Sequence, residues 1–259
     1  MNCWPSSEMK FILAAGLSLP LLLLSGCAHS PPYEPADPLE RVNRAVFTFN
    51  ETADRYVLRP VAKGYDTVTP AVVRHGVRNF FSNLFYPTVL VNDLLQLKFQ
   101  QFSEDFCRLV LNTTFGLGGI LDVATPGGLP VHDEDFGQTL GHWGVGPGWY
   151  LMLPLLGPSN NRDLVGKAGD YATNPFAYID EEEVVTVGMG VLQLVEKRAQ
   201  LLPVDKVLEQ QLDRYVFVRT SYLQIRLNKV YDGNPPPADF GFEEELEEDA
   251  EAAPPAPEN

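Results

Sequence analysis

The side chains of this chain that could take part in chemistry lie mainly between positions 130 and 165. Residues 132–135 offer one imidazole and three carboxylates in a row, but adjacent residues do not converge on one ion, so a solvated acidic loop is the better interpretation. The glycine-rich residues 144–148 contain Pro147, which lacks the N–H that a phosphate loop would donate. Ser159 does not lie in a Gly-x-Ser-x-Gly turn. These patterns predict no enzyme, no metal site and no cofactor.

The adjacent Arg162 and Asp163 form a charged pair for which two interpretations stay open. The commoner one is a local helix cap with an ion pair. The alternative is a site that contacts the phosphate of a lipid headgroup, because a guanidinium binds phosphate through two parallel hydrogen bonds.

An apolar run from Phe11 to Leu24 follows Lys10 and ends in Leu24-Ser25-Gly26-Cys27. A cation, a short apolar stretch and small residues before a cut predict a secretory signal peptide over residues 1–26. The cysteine after Leu-Ser-Gly resembles the lipobox of bacterial lipoproteins, which implies that Cys27 carries acyl chains. A secreted protein in which Cys27 has no such role is the alternative.

The start of the chain is unusual for a signal peptide, because Trp4 and Glu8 precede the cation. Met9 is therefore a better predicted start than Met1. After Cys27, residues 27–36 are predicted to be a lipidated tether, residues 37–231 one helical domain, and residues 232–259 a disordered acidic tail rich in proline. The formal net charge is −15. Ten acidic residues lie in the tail, so nucleic-acid binding is not expected.

The clearest helical pattern runs from Leu95 to Val110, where apolar residues recur every three or four positions and include Phe99, Phe102 and Phe106. Such a stripe packs either against a core or against a bilayer, and the two are about equally favoured. Cys107, in the same pattern, is expected to be a small buried residue. A preceding helix is expected to stop before Pro87.

Residues 116–163 are rich in glycine and proline and contain interleaved aromatic residues. Trp143 and Trp149 are of the kind found at membrane interfaces, so we expect them, with the three phenylalanines, to lie at such an interface. No apolar run after Cys27 reaches the roughly 20 residues that a membrane-spanning helix needs.

Several motifs, in order and without large gaps over residues 37–222, resemble the MlaA (VacJ) family of outer-membrane lipoproteins. They are Asp37-Pro38-Leu39-Glu40 with Asn43-Arg44, Phe47 and Phe49-Asn50; Arg59-Pro60-Val61-Ala62; Asn79-Phe80-Phe81-Ser82-Asn83-Leu84; Asn92-Asp93-Leu94-Leu95-Gln96; Asn112-Thr113-Thr114; Phe136-Gly137-Gln138-Thr139-Leu140-Gly141; and Leu153-Pro154-Leu155-Leu156-Gly157-Pro158-Ser159 with Arg162-Asp163.

This resemblance implies an all-α, ring-like single domain of amphipathic helices that lies in the membrane interface on the periplasmic side of the outer membrane. It implies a channel that removes mislocalised phospholipid from the outer leaflet and passes it to an MlaC-like periplasmic carrier, with a trimeric porin as a partner. It also places Asn43, Phe47, Phe49 and Asn50 at the channel gate. A lipoprotein that only tethers porins, without transport, is the alternative.

Overall fold

The computed structural model describes residues 37–178 and 183–236. The predicted signal peptide, Cys27, the tether and all but the first residues of the acidic tail lie outside these ranges. The helices are α1 (Glu40–Ala53), α2 (Arg59–Val68), α3 (Ala71–Leu95), α4 (Phe99–Thr114), α5 (Phe136–His142), α6 (Asn161–Thr173), α7 (Glu183–Gln200), α8 (Asp205–Glu209) and α9 (Arg214–Val230). Two strands, β1 (Tyr150–Leu153) and β2 (Gly157–Asn160), form an antiparallel hairpin. The predicted all-α class is therefore confirmed, with this small hairpin as an addition.

The first helical segment does not end at Arg59-Pro60. A π-helical turn, Asp54–Leu58, joins α1 directly to α2. Pro60 is the second residue of α2 and directly follows the π-helical turn; since proline has no N–H to donate, the backbone hydrogen-bond ladder is interrupted at this point of the continuous helical run.

Helix α3 runs through Pro87, so the predicted break is wrong. A proline inside a helix removes one backbone hydrogen bond, and packing has to compensate for that loss. The neighbours of Pro87 supply this packing: Tyr86 and Val89 are buried, and the Tyr86 hydroxyl donates to Asp105 of α4 at 2.8 Å.

The apolar core is centred on the hairpin and α9. Tyr150 and Met152 of β1 pack with Tyr215 of α9, and the two tyrosine rings meet edge to face with centroids 6.1 Å apart. Phe47 of α1 adds a second edge-to-face contact with Tyr215 at 5.8 Å. This cluster joins α1, the hairpin and α9.

Helices α5 and α6 approach each other closely through glycine. A Cβ on Gly166 would lie 2.4 Å from the backbone nitrogen of Gly137, and one on Gly169 would overlap the ring of Phe136. Only glycine fits where two backbones are this close. The N-caps of these helices are Asp135 and Asn160, whose side chains accept from Gln138 N and Asp163 N.

Candidate lipid-facing site

Helix α4 turns its polar face inward and its apolar face outward. Its buried residues are Asp105, Arg108 and Asn112, which lie on one face because they are three and four positions apart. On the other side, Phe99 is 63% exposed and Phe106 is 50% exposed. An exposed apolar stripe over a polar interior is the reverse of the arrangement usual for a helix in water.

The buried polar face of α4 holds the loop that follows it. Arg108 donates from Nη1 to the carbonyl of Leu129 at 3.0 Å and from Nη2 to Asp122 at 2.7 Å. Asn112 accepts the backbone N–H groups of Val123 and Ala124 on Oδ1. Burial opposes ionisation of Asp122, but hydrogen bonds from Thr125, Arg108 and Asn112 outweigh it and lower the pKa of Asp122 to about 2.

The acidic segment 132–135 is the expected solvated loop only at Asp133, whose side chain is exposed. Glu134 is buried and accepts from Gln96 at 2.8 Å, Lys98 at 2.9 Å and Gln101 at 3.0 Å. His132 Nδ1 lies 3.0 Å from both carboxylate oxygens of Asp105. The partners of these side chains come from α4 and from the turn between α3 and α4, more than twenty residues away in sequence, so no local pattern reveals them.

Asp93 lies beside this segment and is fully buried. Gln101 donates to its Oδ1 at 2.8 Å. Burial, and then the negative charge of Asp105, raise the pKa of Asp93 to about 7. Within the described ranges, no group of three or more histidine, cysteine or acidic side chains is arranged to hold a metal ion.

The predicted pair Arg162 and Asp163 is buried, and Arg162 Nε donates to Asp163 Oδ1 at 3.1 Å. Arg226 of α9, which the sequence interpretation did not select, contacts the same carboxylate at 2.9 Å and also binds Asp135 through both terminal nitrogens. Burial opposes the charge of Asp135, but Arg226 outweighs it and lowers the pKa of Asp135 to about 2. This cluster joins α5, α6 and α9.

Two of the four residues predicted at the gate hold the hairpin. Asn43 is 2% exposed, donates to the carbonyl of Tyr150 at 3.0 Å and accepts from Met152 N at 2.9 Å. Asn50 donates to the carbonyl of Leu153 and accepts from Leu155 N. Phe47 packs on the core, whereas Phe49 is largely exposed. Asn43, Asn50 and Phe47 thus contact the hairpin or the core, whereas the aromatic ring of Phe49 is exposed.

The predicted interfacial aromatic residues are mostly exposed. Trp143 and Trp149 are more than half exposed, and the Trp143 indole N–H donates to the carbonyl of Leu95 at 3.1 Å. Phe102 is half-buried and stacks on Phe106. Cys107, expected to be buried, is exposed, because it lies on the outward side of α4 next to Phe106.

The sequence analysis did not identify Arg108, Arg226 and Tyr215 as residues whose side chains connect separate segments of the fold. One signal was available: Asp105, Arg108 and Asn112 form a polar stripe in the sequence of α4, although nothing in that pattern says which stripe faces inward. Among the described helices, none combines the length and the apolar character that crossing a bilayer requires.

These features define a class: a helical protein that encloses charged and amide side chains between its helices and exposes several aromatic residues, among them Phe99, Phe106, Trp143 and Trp149. The chain belongs to the MlaA lipoprotein family, whose family model matches residues 35–229.

Named relatives and one solved structure are similar over most of the chain. The intermembrane phospholipid transport system lipoprotein MlaA of Escherichia coli K12 is 40% identical over 222 residues, which cover 83% of this chain and 87% of that protein. An uncharacterized protein of Rickettsia conorii is 38% identical over 192 residues, or 73% of this chain and 76% of the relative. A chain solved in work on the structural basis for maintenance of bacterial outer membrane lipid asymmetry matches with a TM-score of 0.68 at 37% identity, covering 77% of this chain and all of that one.

Proposed function

We propose that this chain is a phospholipid-transport lipoprotein of the outer membrane. It removes mislocalised phospholipid from the outer leaflet, delivers it to a soluble periplasmic carrier and so maintains lipid asymmetry. The observation that carries the proposal is the burial pattern of helix α4. Its charged residues Arg108 and Asp105 are buried, and its apolar residues Phe99 and Phe106 are exposed. Such a helix lies with its apolar face in the interfacial region of a bilayer. The name of the Escherichia coli relative supports the same function.

The transport proposal assigns roles to the predicted site residues. Asn43 and Asn50 couple helix α1 to the hairpin, so a shift of α1 would move the backbone of β1 with it. Phe47 and Phe49 belong to the same gate. Arg162 and Asp163 contact a headgroup in this proposal, which requires the buried cluster around Arg226 to open during passage.

The proposed setting follows from the predicted lipid anchor at Cys27. Acyl chains on Cys27 hold the protein at the periplasmic side of the outer membrane, because two or more such chains anchor stably. A trimeric porin is the proposed membrane partner and an MlaC-like carrier the proposed soluble one. The protein's work in this proposal is transfer of intact lipid rather than catalysis.

The test is to delete the gene and to measure phospholipid exposed on the cell surface with an externally added phospholipase. Deletion is expected to raise surface phospholipid, and the wild-type gene is expected to restore it. Asn50→Ala is expected to alter the level because it removes the two hydrogen bonds that Asn50 makes to the hairpin and so loosens the hairpin's contact with α1. The matched control is Thr48→Ala on the same helix, whose hydroxyl, among the residues that the structure describes, bonds only the local carbonyl of Arg44. Unchanged surface phospholipid after deletion would contradict transport and leave a tethering role.

Membrane insertion is tested separately in vesicles. If Trp4 leaves with the signal peptide, Trp143 and Trp149 are the fluorophores that remain. Lipids brominated near the headgroup are expected to quench their fluorescence more strongly than iodide in the water does. Stronger quenching by iodide would place both indoles in water and contradict the interfacial position.

A further inference from the structure

Three carboxyl groups lie together inside the protein, where α3, α4 and the segment 132–135 meet. Asp93 of α3 and Asp105 of α4 are completely buried, and Glu134 is almost completely buried. The carboxyl groups of the two aspartates face each other within hydrogen-bonding range. Burial removes the water that would otherwise screen their charges, so carboxylates this close repel each other unless a cation or a proton compensates them.

Neighbouring groups compensate Glu134 and Asp105 but not Asp93. Lys98 donates to Glu134 at 2.9 Å, and His132 Nδ1 lies 3.0 Å from Asp105. Asp93 receives a neutral side-chain amide on Oδ1 at 2.8 Å. In the part of the chain that the structure describes, no donor reaches its other oxygen, Oδ2, which is buried as well. Because an ionised carboxylate is costly to bury without a positive partner, Asp93 keeps its proton to a higher pH than an exposed aspartate does.

The proton of Asp93 has an acceptor within reach. A protonated carboxyl group donates through its O–H, and Asp105 faces it from α4 as an acceptor. Burial, and then the charge of Asp105, raise the pKa of Asp93 to about 7. Tyr86 donates to the same Asp105 carboxylate at 2.8 Å, and burial raises the pKa of its hydroxyl, so that donor does not titrate near neutral pH. The proton between the two aspartates is therefore held where a change of pH around neutrality can remove it.

Asp105 connects three parts of the fold while that proton is present. Its partners Tyr86 and Asp93 belong to α3. Its partner His132 belongs to the segment 132–135, which has no regular secondary structure. Loss of the proton leaves two negative groups in contact, with a third carboxylate nearby, and like charges in one buried site disfavour the arrangement. Repulsion of this kind opens an irregular segment before it opens a helix, because such segments have the lowest local stability.

We propose that Asp93 and Asp105 share one proton, and that this proton fastens the segment 132–135 to α3 and α4. The pair is then a pH-sensitive latch: low pH closes it and high pH loosens it. His132 acts in the same direction, because a histidine gains positive charge as the pH falls. The other charged or titratable groups around the pair are Tyr86 of α3, Lys98 of the turn, Arg108 of α4 and Glu134. None of the residues assigned to the gate or to headgroup contact takes part, so the latch does not depend on the proposed function.

Infrared spectroscopy tests the shared proton in the full chain, held in detergent micelles. The carbonyl band of protonated carboxylic acids is followed over a pH range that extends about two units to either side of the Asp93 pKa. We expect a band that disappears near pH 7 and that is missing in Asp93→Asn. In Asp105→Asn the band is expected to disappear about one pH unit lower, because the neighbouring negative charge is gone. Absence of the band from the wild type about one unit below that pKa, or an unchanged titration in Asp105→Asn, overturns the shared proton.

The matched control is Asp170→Asn in α6. Asp170 is a second carboxyl group whose pKa is raised, to about 6, mainly by burial. It accepts from the backbone N–H of Phe136, outside the Asp93 cluster. Its replacement is expected to remove a band that disappears near pH 6 and to leave the other band in place. Loss of the band near pH 7 in this control overturns its assignment to Asp93.

Hydrogen–deuterium exchange tests the latch. The wild type and Asp93→Asn are compared at the same pH, because the neutral amide mimics the protonated acid at every pH and both proteins keep His132. About one unit below the Asp93 pKa, the amides of the segment 132–135 are expected to exchange equally in the two proteins. About one unit above it, they are expected to exchange about tenfold faster in the wild type, the ratio that corresponds to one pKa unit of interaction. Asp170→Asn is expected to behave like the wild type. Equal exchange in the wild type and Asp93→Asn above the pKa overturns the latch, even if the shared proton is found.

Discussion

Asn43 and Asn50 lie seven residues apart on α1, and each one binds the backbone of the β1 strand or the turn after it through both its amide oxygen and its amide nitrogen. Seven residues are nearly two helical turns, so both side chains point the same way. Asn43 spans Tyr150 and Met152, and Asn50 spans Leu153 and Leu155. In this way α1 supplies hydrogen-bond partners along the edge of β1 that does not pair with β2.

Replacing Asn43 is expected to cost more stability than replacing Asn50. Asn43→Leu leaves groups of two buried residues, Tyr150 and Met152, without partners, and each unsatisfied group costs about 1–3 kcal/mol. We expect a loss of about 3 kcal/mol. Asn50→Leu is expected to cost about 1 kcal/mol, because Leu155 is exposed and can bond water instead. Denaturant unfolding in detergent micelles measures both, and equal losses would contradict this account.

Among the cationic residues that the structure describes, Arg226 is the one whose replacement is expected to reduce stability most. Arg226→Met leaves the buried Asp163 and the half-buried Asp135 with one partner fewer, and breaking a buried pair costs about 3–5 kcal/mol. The matched control on the same helix is Lys229→Met, whose partner Asp133 is exposed. Its loss is expected to stay below about 1 kcal/mol. Comparable losses for the two variants, in the same unfolding assay, would show that the cluster is not a stabilising centre.

Asp93 is expected to make stability fall as pH rises from about 4 to about 7. Its folded-state pKa of about 7 lies above the ordinary value near 3.9, so in this window the folded protein keeps a proton that the unfolded chain has released. Well above pH 7, Asp93 is ionised in both the folded and the unfolded chain, so it no longer makes stability change with pH. Asp122 and Asp135, whose pKa values are about 2 in the fold, affect stability only at lower pH.

The test compares the wild-type protein with Asp93→Asn across this range. Both proteins share His132, Asp105, Glu134 and Lys98 around the site, so the difference between their unfolding free energies isolates Asp93. The variant is expected to gain on the wild type between pH 4 and pH 7. A difference that stays constant with pH would mean that Asp93 is already ionised at pH 4.

Two glycines inside helices are expected to respond oppositely to alanine. Gly166→Ala places a methyl group 2.4 Å from the backbone of α5, and overpacking of this kind costs about 1–3 kcal/mol. Gly188→Ala meets nothing within 4 Å, so the better helix propensity of alanine is expected to stabilise by up to about 1 kcal/mol. Thermal unfolding of both variants checks the signs. A stable Gly166→Ala would contradict the close α5–α6 contact.

The sequence was sufficient for the helices but not for which faces they bury. Periodicity located α4 and its phenylalanine stripe, because a 3.6-residue repeat is visible in any window of that length. It could not say whether Phe106 or Arg108 faces inward, since both arrangements produce the same repeat. Which face points inward depends on whether the helix is surrounded by water or by lipid, and the residue pattern does not contain that information.

Contacts between distant residues account for the other differences. Asn43 and Tyr150 are 107 positions apart, and Arg226 and Asp135 are 91 apart. No local rule pairs them. The sequence predicts a stop at Pro87 because local sterics favour one, and tertiary packing around Tyr86 outweighs that preference. The signal peptide and Cys27 remain predictions from sequence.

The outward aromatic face of α4 also changes what a mutation means in different surroundings. In buffer, Phe106→Gln would reduce aggregation and raise solubility, since an aromatic ring in contact with water is lost. In lipid the same change would weaken the hold of the helix, because the ring there is dissolved in acyl chains. One substitution should therefore have opposite consequences in the test tube and in the envelope, and screening for solubility would select against the working protein.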